Sequence, residues 1–243
     1  MNQVKFKTVD YPESDGQPMG ETDVHRDAMF RIIELLKRHF RHQKVYVSGD
    51  LLLYYEQGNP KKFVVPDAFI AKGLEQHPRT TYRIWMEAVV PQFVIETTSR
   101  STRAKDTNEK PAIYAKLGVR EYFMHDPTGE YLEPPLQGYR LENGSYVPIE
   151  AEADGGLFSE QLGLILRITD SELNLFDPKT KQRLLTSAEL AVAESEARQR
   201  EAEARQHEAE ARQREAEARQ RAEAEVERLK AQLARFQGPD AHF

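Results

Sequence analysis

Residues 91–127 read PQFVIETTSRSTRAKDTNEKPAIYAKLGVREYFMHDP. Gln92 to Thr98 is a short apolar run rich in β-branched residues, which predicts a buried strand. Thr107 to Leu117 predicts a helix, and Gly118 stands where a left-handed residue closes one. With Thr107 or Asp106 as the cap, Pro111 falls in or near the first turn, where a missing amide costs least. Val119 to His125 is the next strand, and Asp126-Pro127-Thr128-Gly129 is a strong turn. A strand, a helix and a strand in succession imply a sheet covered by helices.

Upstream, Met29, Ile32, Ile33, Leu36 and Phe40 recur at helical spacing, so a helix is expected over residues 24–40, capped by Thr22 or Asp23. Val45 to Tyr55 reads as one strand with a bend or bulge at Gly49. After the Gly58-Asn59-Pro60 break, Phe63 to Ile70 reads as another, although Pro66 excludes an ordinary ladder position. Short helical character is expected around residues 82–88. Downstream, short strands are expected at 130–132, 138–141, 145–148, 164–169 and 173–176. The fold class is α/β: a mixed sheet flanked by helices, with residues 1–21 an irregular lead-in and 22–185 the folded domain.

Composition excludes several function classes. The chain of 243 residues has no cysteine, which rules out a Cys-ligated zinc site, an iron–sulfur cluster and a cysteine nucleophile. It has no apolar run long enough to span a membrane, and its first residues lack the apolar stretch of a secretion signal, so a cytoplasmic protein without membrane contact is expected. Gly155-Gly156 is followed by neither Lys-Ser nor Lys-Thr, so no nucleotide cofactor is expected. The net charge of −6 argues against non-specific coating of nucleic acid, which needs local positive charge. One strip supplies such charge: residues 99–120 hold six bases and two acids.

From residue 186 to 237 neither Gly nor Pro appears, and Glu, Ala, Arg and Gln dominate. Glu-Ala-Glu-Ala-Arg-Gln starts at Glu201, Glu208 and Glu215, with a variant at Glu194. All are good helix formers. Glu201–Arg205, Glu208–Arg212, Glu210–Arg214, Glu215–Arg219 and Glu217–Arg221 stand at i,i+4 in the favourable order, each worth about 0.2–0.5 kcal/mol in an isolated helix. The alanines do not keep coiled-coil spacing, whereas Ala222, Val226, Leu229, Leu233 and Phe236 do. A charged helix is expected whose end can self-associate, followed by a flexible tail at 238–243.

The chemistry-bearing residues are two acids in apolar surroundings, Asp67 after Pro66 and Glu96 inside Phe93-Val94-Ile95-Glu96. Desolvating an unpaired carboxylate is expensive, so each needs a partner. A salt bridge would serve, and so would a divalent cation, since hard oxygen ligands suit Mg²⁺ or Mn²⁺. Two acids holding a metal beside a lysine are the minimum set for hydrolysing a phosphodiester. Two unrelated structural acids are the competing account. His25, His39, His42, His77 and His125 are scattered without metal-ligand spacing and carry no expected catalytic role, and Trp85 is expected to be core packing.

At this point the sequence resembles the Uma2 family (DUF820) of restriction-endonuclease-like proteins, a branch of the PD-(D/E)XK nuclease-like superfamily. The stretches that carry the resemblance are Val47-Ser48-Gly49-Asp50-Leu51, Val65-Pro66-Asp67-Ala68-Phe69, and Pro91 with Glu96-Thr97-Thr98-Ser99-Arg100-Ser101-Thr102. Asp106 to Lys110, Tyr114, Gly118-Val119-Arg120-Glu121-Tyr122, Asp126-Pro127, Gly163-Leu164 and Leu175-Phe176-Asp177-Pro178 follow in the family's order. The resemblance spans residues 20–190.

It implies a Mg²⁺-dependent endonuclease acting on DNA as a homodimer. Asp67 then matches the aspartate of the PD element and Glu96 the second acid, both of them metal ligands. The superfamily pattern places a lysine two residues after that acid, where this chain has Thr98. The lysine is then expected from the following helix, with Lys110 first and Lys105 in reserve. Glu34 on the first helix and Asp106 are accessory candidates, although an N-cap role suits Asp106 equally. Arg100, Arg103 and Lys105 are the expected nucleic-acid contacts. Rival readings are an inactive nuclease fold that binds itself or a partner through the helix, and a DNA-binding module without catalysis.

Overall fold

The computed structural model describes residues 9–14 and 22–236, with side chains through Arg235. The 238–243 tail and most of the 1–21 lead-in expected from the sequence lie outside the described residues. The chain divides into a body that ends at Thr186 and a second unit that begins at Ser187.

Helix α1 covers Asp23–His39, and the Thr22 hydroxyl caps it by accepting from the His25 amide at 3.3 Å. The body continues through β1 (Val45–Ser48), β2 (Leu53–Tyr54), β3 (Phe63–Val64), β4 (Ala68–Lys72), β5 (Tyr82–Arg83), α2 (Ile84–Glu87) and β6 (Phe93–Thr97). A π turn (Lys105–Glu109) leads into α3 (Lys110–Leu117), then β7 (Glu121–His125), β8 (Leu136–Glu142) and β9 (Ser145–Pro148). The last strands are β10 (Leu157–Ser159), β11 (Leu164–Thr169) and β12 (Glu172–Phe176), and α4 (Ser187–Phe236) forms the second unit.

Six strands make the main sheet, in the order β1-β4-β6-β7-β8-β9. β6 and β7 pair in parallel across the α3 connection, while the other neighbours are antiparallel. Smaller three-stranded sheets form from β3-β2-β5 and β10-β11-β12. One core packs Ile32, Leu35 and Leu36 of α1 on Ile70, Ile95 and Phe123 of the sheet, with the leucines of β10–β12 closing it. Phe69, Val94, Tyr114 and Tyr122 belong to a second core on the α3 side. Alternation along β6 therefore sends Ile95 toward α1 and Glu96 toward α3.

Several expected elements differ in detail. Leu35 joins the buried stripe of α1, while Ile33 is only partly buried. The run from Val45 to Tyr55 is two strands in different sheets, because the chain breaks at Gly49-Asp50. The run from Phe63 to Ile70 also splits, at Pro66, which has no amide for a ladder and whose carbonyl accepts from the Asp50 amide at 2.9 Å. Asp67 thus stands just before β4 rather than inside a strand. Leu157–Ser159 forms a strand that its short run between loops did not announce.

Residues 130–132 are not a strand, because their amides have another acceptor. Asp126 is buried, and its carboxylate accepts from the Thr128 amide (2.9 Å) and hydroxyl (2.8 Å) and from the amides of Gly129 (3.0 Å), Tyr131 (2.5 Å) and Leu132 (3.0 Å). One side chain therefore folds the β7–β8 connection.

In α4, four of the five expected i,i+4 pairs form, two of them, Glu201–Arg205 and Glu208–Arg212, at 2.6 Å. Arg219 turns forward to Glu223 at 2.9 Å instead of back to Glu215. Val226, Leu229 and Leu233 are exposed, and the side chain of Phe236 lies outside the described residues. No helix among the described residues is long and apolar enough to cross a membrane.

Burial would raise the Asp126 pKa, but its amide and hydroxyl donors outweigh burial and hold it below the ordinary carboxylate value. The resulting stabilisation is complete above the unfolded aspartate pKa of about 3.9 and is lost as pH falls through the lower folded value. Asp126→Ala is expected to lower unfolding stability by about 1–3 kcal/mol at pH 7. The gap between variant and wild type should narrow below pH ~4, as urea titrations across pH will show.

Candidate active site

The site lies where β4 begins and β6 and β7 end. The approach to it depends on Gly49, since a Cβ there would come within 1.8 Å of the Asp67 carbonyl oxygen. Without that side chain, the β1–β2 connection passes directly against Pro66-Asp67 and fixes the backbone that presents the acid.

Glu96 is fully buried in β6. Its Oε1 accepts from the Tyr114 hydroxyl at 2.6 Å. Its Oε2 accepts from Lys110 Nζ at 2.7 Å and from the Asp67 amide at 3.3 Å. The Asp67 Oδ2 in turn accepts from the Thr97 amide at 2.6 Å. The two acids are therefore interlocked through each other's backbone, the reciprocal satisfaction that a buried carboxylate demands. Burial pushes the Glu96 carboxyl up to about 8, with Lys110 opposing and Asp67 and Asp106 adding to the rise.

Lys110 is the expected lysine, and the structure brings it to the acids. Besides Glu96 it meets Asp106 Oδ1 at 3.0 Å. Burial acts to lower its pKa, but the carboxylates of Glu96, Asp106 and Asp67 outweigh burial and keep it a cation. Asp106 is not a cap: it is buried inside the π turn, in a helical stretch that starts before the expected Thr107. The π turn has a local cause. Pro111 offers no amide, and its ring would crowd the carbonyl four residues earlier in a regular helix. The Lys110 amide bonds to the Lys105 carbonyl instead, which widens the turn before α3 begins. Gly118 then closes α3 at φ 88°.

Three carboxyl groups surround one ammonium, so this buried cluster would carry excess negative charge with all three ionised, and burial together with that excess shifts Glu96 and Asp106 upward. Among the described residues, no group of three or more His, Cys, Asp or Glu side chains is arranged to hold a metal ion. The donor chemistry still suits Mg²⁺, which keeps several waters and takes one or two carboxylates together with substrate phosphates. Glu96 has about four lone-pair sites, of which the three contacts above leave one on Oε1.

The remaining candidates divide. Lys105, Arg100 and Arg103 are exposed in and just ahead of the π turn, whereas Lys110 is the lysine that meets the acids. Glu34 is half-buried on α1. Trp85 is half-buried against Tyr11, with ring centroids 5.3 Å apart, rather than in the main core.

The sequence reading gave His25 no role, yet its ring stands at the centre. Its Nε2 donates to the Thr97 carbonyl and lies 3.6 Å from Asp67 Oδ2. The available signal was its place one turn into α1 on the buried face. His125 is also buried, in register with Thr97 across β6–β7, and burial lowers its pKa to about 4. Neither of its ring nitrogens, nor the hydroxyls of Thr97 and Thr98, has a hydrogen-bond partner among the described residues.

Comparison with known proteins gives the family. A solved structure described as a "putative nuclease belonging to DUF820 from Anabaena variabilis ATCC 29413" is similar over 63% of this chain and 86% of its own, at 14% identity and a TM-score of 0.44. No curated protein matches the chain. The family model Uma2, described as "Putative restriction endonuclease", matches residues 7–170, more than half of the chain and the whole of the site. The chain belongs to the Uma2 family.

Proposed function

We propose that this protein is a metal-dependent endonuclease that hydrolyses phosphodiester bonds in DNA, with Asp67 and Glu96 as metal ligands and Lys110 as the catalytic lysine. The observation that carries the reading is the convergence of Lys110 Nζ and the Asp67 amide on one oxygen of the buried Glu96. A structural ion pair alone would not need the third acid, Asp106, beside the same ammonium.

A bound Mg²⁺, or Mn²⁺, supplies Lewis acidity at the scissile phosphate and neutralises part of its charge. The chain's own residues do the rest. Lys110, fixed between Glu96 and Asp106, presents a permanent positive charge to orient water and to stabilise negative charge that builds on the phosphoryl oxygens. Tyr114 holds the Glu96 carboxylate in one orientation, and His25 orders the Thr97 carbonyl beside Asp67. The exposed Arg100, Arg103 and Lys105 take the flanking phosphates.

The same reading includes a homodimer formed through α4. Val226 and Leu233 take a positions and Ala222 and Leu229 take d positions, which puts Glu225 at g and Lys230 at the following e. In a parallel, in-register pair, Glu225 of one copy faces Lys230 of the other. Two such centres in one dimer would let both strands be cut in a single encounter.

Nicking of supercoiled DNA with Mg²⁺ or Mn²⁺ tests the chemistry. Asp67→Ala, Glu96→Ala and Lys110→Ala are each expected to lose at least ~100-fold in rate, and chelation by EDTA should abolish cleavage. Equal cleavage by wild type and all three variants would mean contamination and leave an interaction protein with a nuclease fold. Light scattering after size exclusion tests assembly: the full chain should run as a dimer, and both a chain ending at Leu185 and the variant Leu229→Glu as monomers.

A further inference from the structure

A cavity of about 230 Å³ opens beside the centre, on the α1 side of the sheet. The first turns of α1 supply Val24, Asp27, Ala28 and Arg31, the end of β7 supplies His125 and Pro127, and the start of β12 supplies Glu172 and Leu173. His25, one residue from Val24, reaches Asp67 and the Thr97 carbonyl, so the cavity neighbours the Asp67 end of the centre, across the sheet from the Glu96 side chain.

The walls narrow the ligand class. Val24, Ala28, Pro127 and Leu173 are apolar and suit a flat, uncharged body. Asp27 and Glu172 at the rim repel a phosphate, and Arg31 is engaged by Asn174 at 3.0 Å and Glu172 at 3.7 Å. No metal-ligating group of three side chains is present among the described residues. Ser171 also lines the cavity, and His125, 2% exposed, is the buried polar residue of the wall, neither of its ring nitrogens having a hydrogen-bond partner among the described residues. Burial keeps its ring neutral at pH 7, so one ring nitrogen can donate and the other can accept. The volume falls below the ~300–1,000 Å³ of a drug-sized pocket and suits one small ring system.

The geometry points to a pocket for one unstacked nucleobase of the DNA strand, read through its donor and acceptor edge by His125. This rests on the nuclease reading and adds to it a place where the strand is gripped next to the scissile phosphate. Enzymes that act on nucleic acid take a base out of the stack into such pockets, where apolar walls replace its neighbours and polar groups read its edge.

The test uses the full chain with oligonucleotides that carry 2-aminopurine, in Ca²⁺ to hold the complex uncut, and free adenosine as a separate probe. Binding of wild type should raise 2-aminopurine emission severalfold when the probe sits at the gripped position. Ala28→Phe, which plugs the cavity from α1, and His125→Phe should remove the rise and weaken binding about tenfold, the share of one base. His125→Asn, which keeps a donor and an acceptor, should restore part of it. DNA bound with unchanged emission at every probe position, or emission unaffected by Ala28→Phe, would overturn the proposal. Adenosine that shifts the His125 ring resonances in nitrogen-15 spectra, with no binding of DNA, would keep the base pocket and sink the nuclease reading. A null result with both probes would end the pocket itself.

Discussion

A carboxylate in the middle of an apolar strand is the constraint on which the rest turns. Glu96 sits between two cores with no access to water, where an unpaired charge would cost several kcal/mol. Everything near it serves to offset that cost: an ammonium, a phenol and a backbone amide from three different segments. Lys110 can reach it only because the π turn and α3 lie across the sheet on the Glu96 side. The Asp67 amide reaches it only because β4 starts just after Pro66. The position of one acid thus fixes how a loop, a helix and two strands fit together.

That arrangement holds more acid than one ion pair needs. A lone lysine would have neutralised Glu96, and Asp106 would then be an unnecessary burden, since burial raises its own pKa as well. A second buried acid beside the same ammonium makes sense where further positive charge arrives. The Uma2 match over residues 7–170 takes in every residue of this buried cluster.

What could be read from the sequence follows from how local the signals are. The strand–helix–strand from Phe93 to His125 was legible because apolar runs, Gly118 and Asp126-Pro127 each act within a few residues. α1 was legible for the same reason, through Thr22 and its periodic apolar face. The convergence of Asp67 and Glu96 could be expected only from the cost of burying acids together with the family resemblance. The split at Pro66, the break at Gly49-Asp50 and the unpaired segment at 130–132 depend on contacts between distant residues, such as Asp50 with Pro66, which no local pattern reveals. His25 was hidden in the same way: its neighbours Asp67 and Thr97 are brought to it by the sheet, not by spacing along the chain. In α4, Arg219 has Glu215 four residues before it and Glu223 four after it and takes the forward one, a choice that i,i+4 counting leaves open.

The π turn makes the length of its segment matter as much as its composition. Its extra width is matched to Pro111, and it sets the rotation at which Lys110 leaves the helix axis. Rewinding Lys105 to Glu109 as a regular helix with every residue kept would turn each later side chain by about 100°. The ammonium would then swing away from Glu96, even with every charged residue of the cluster retained. Homologues that share this centre should therefore tolerate substitutions at Thr107 and Asn108, both exposed, but not an inserted residue there.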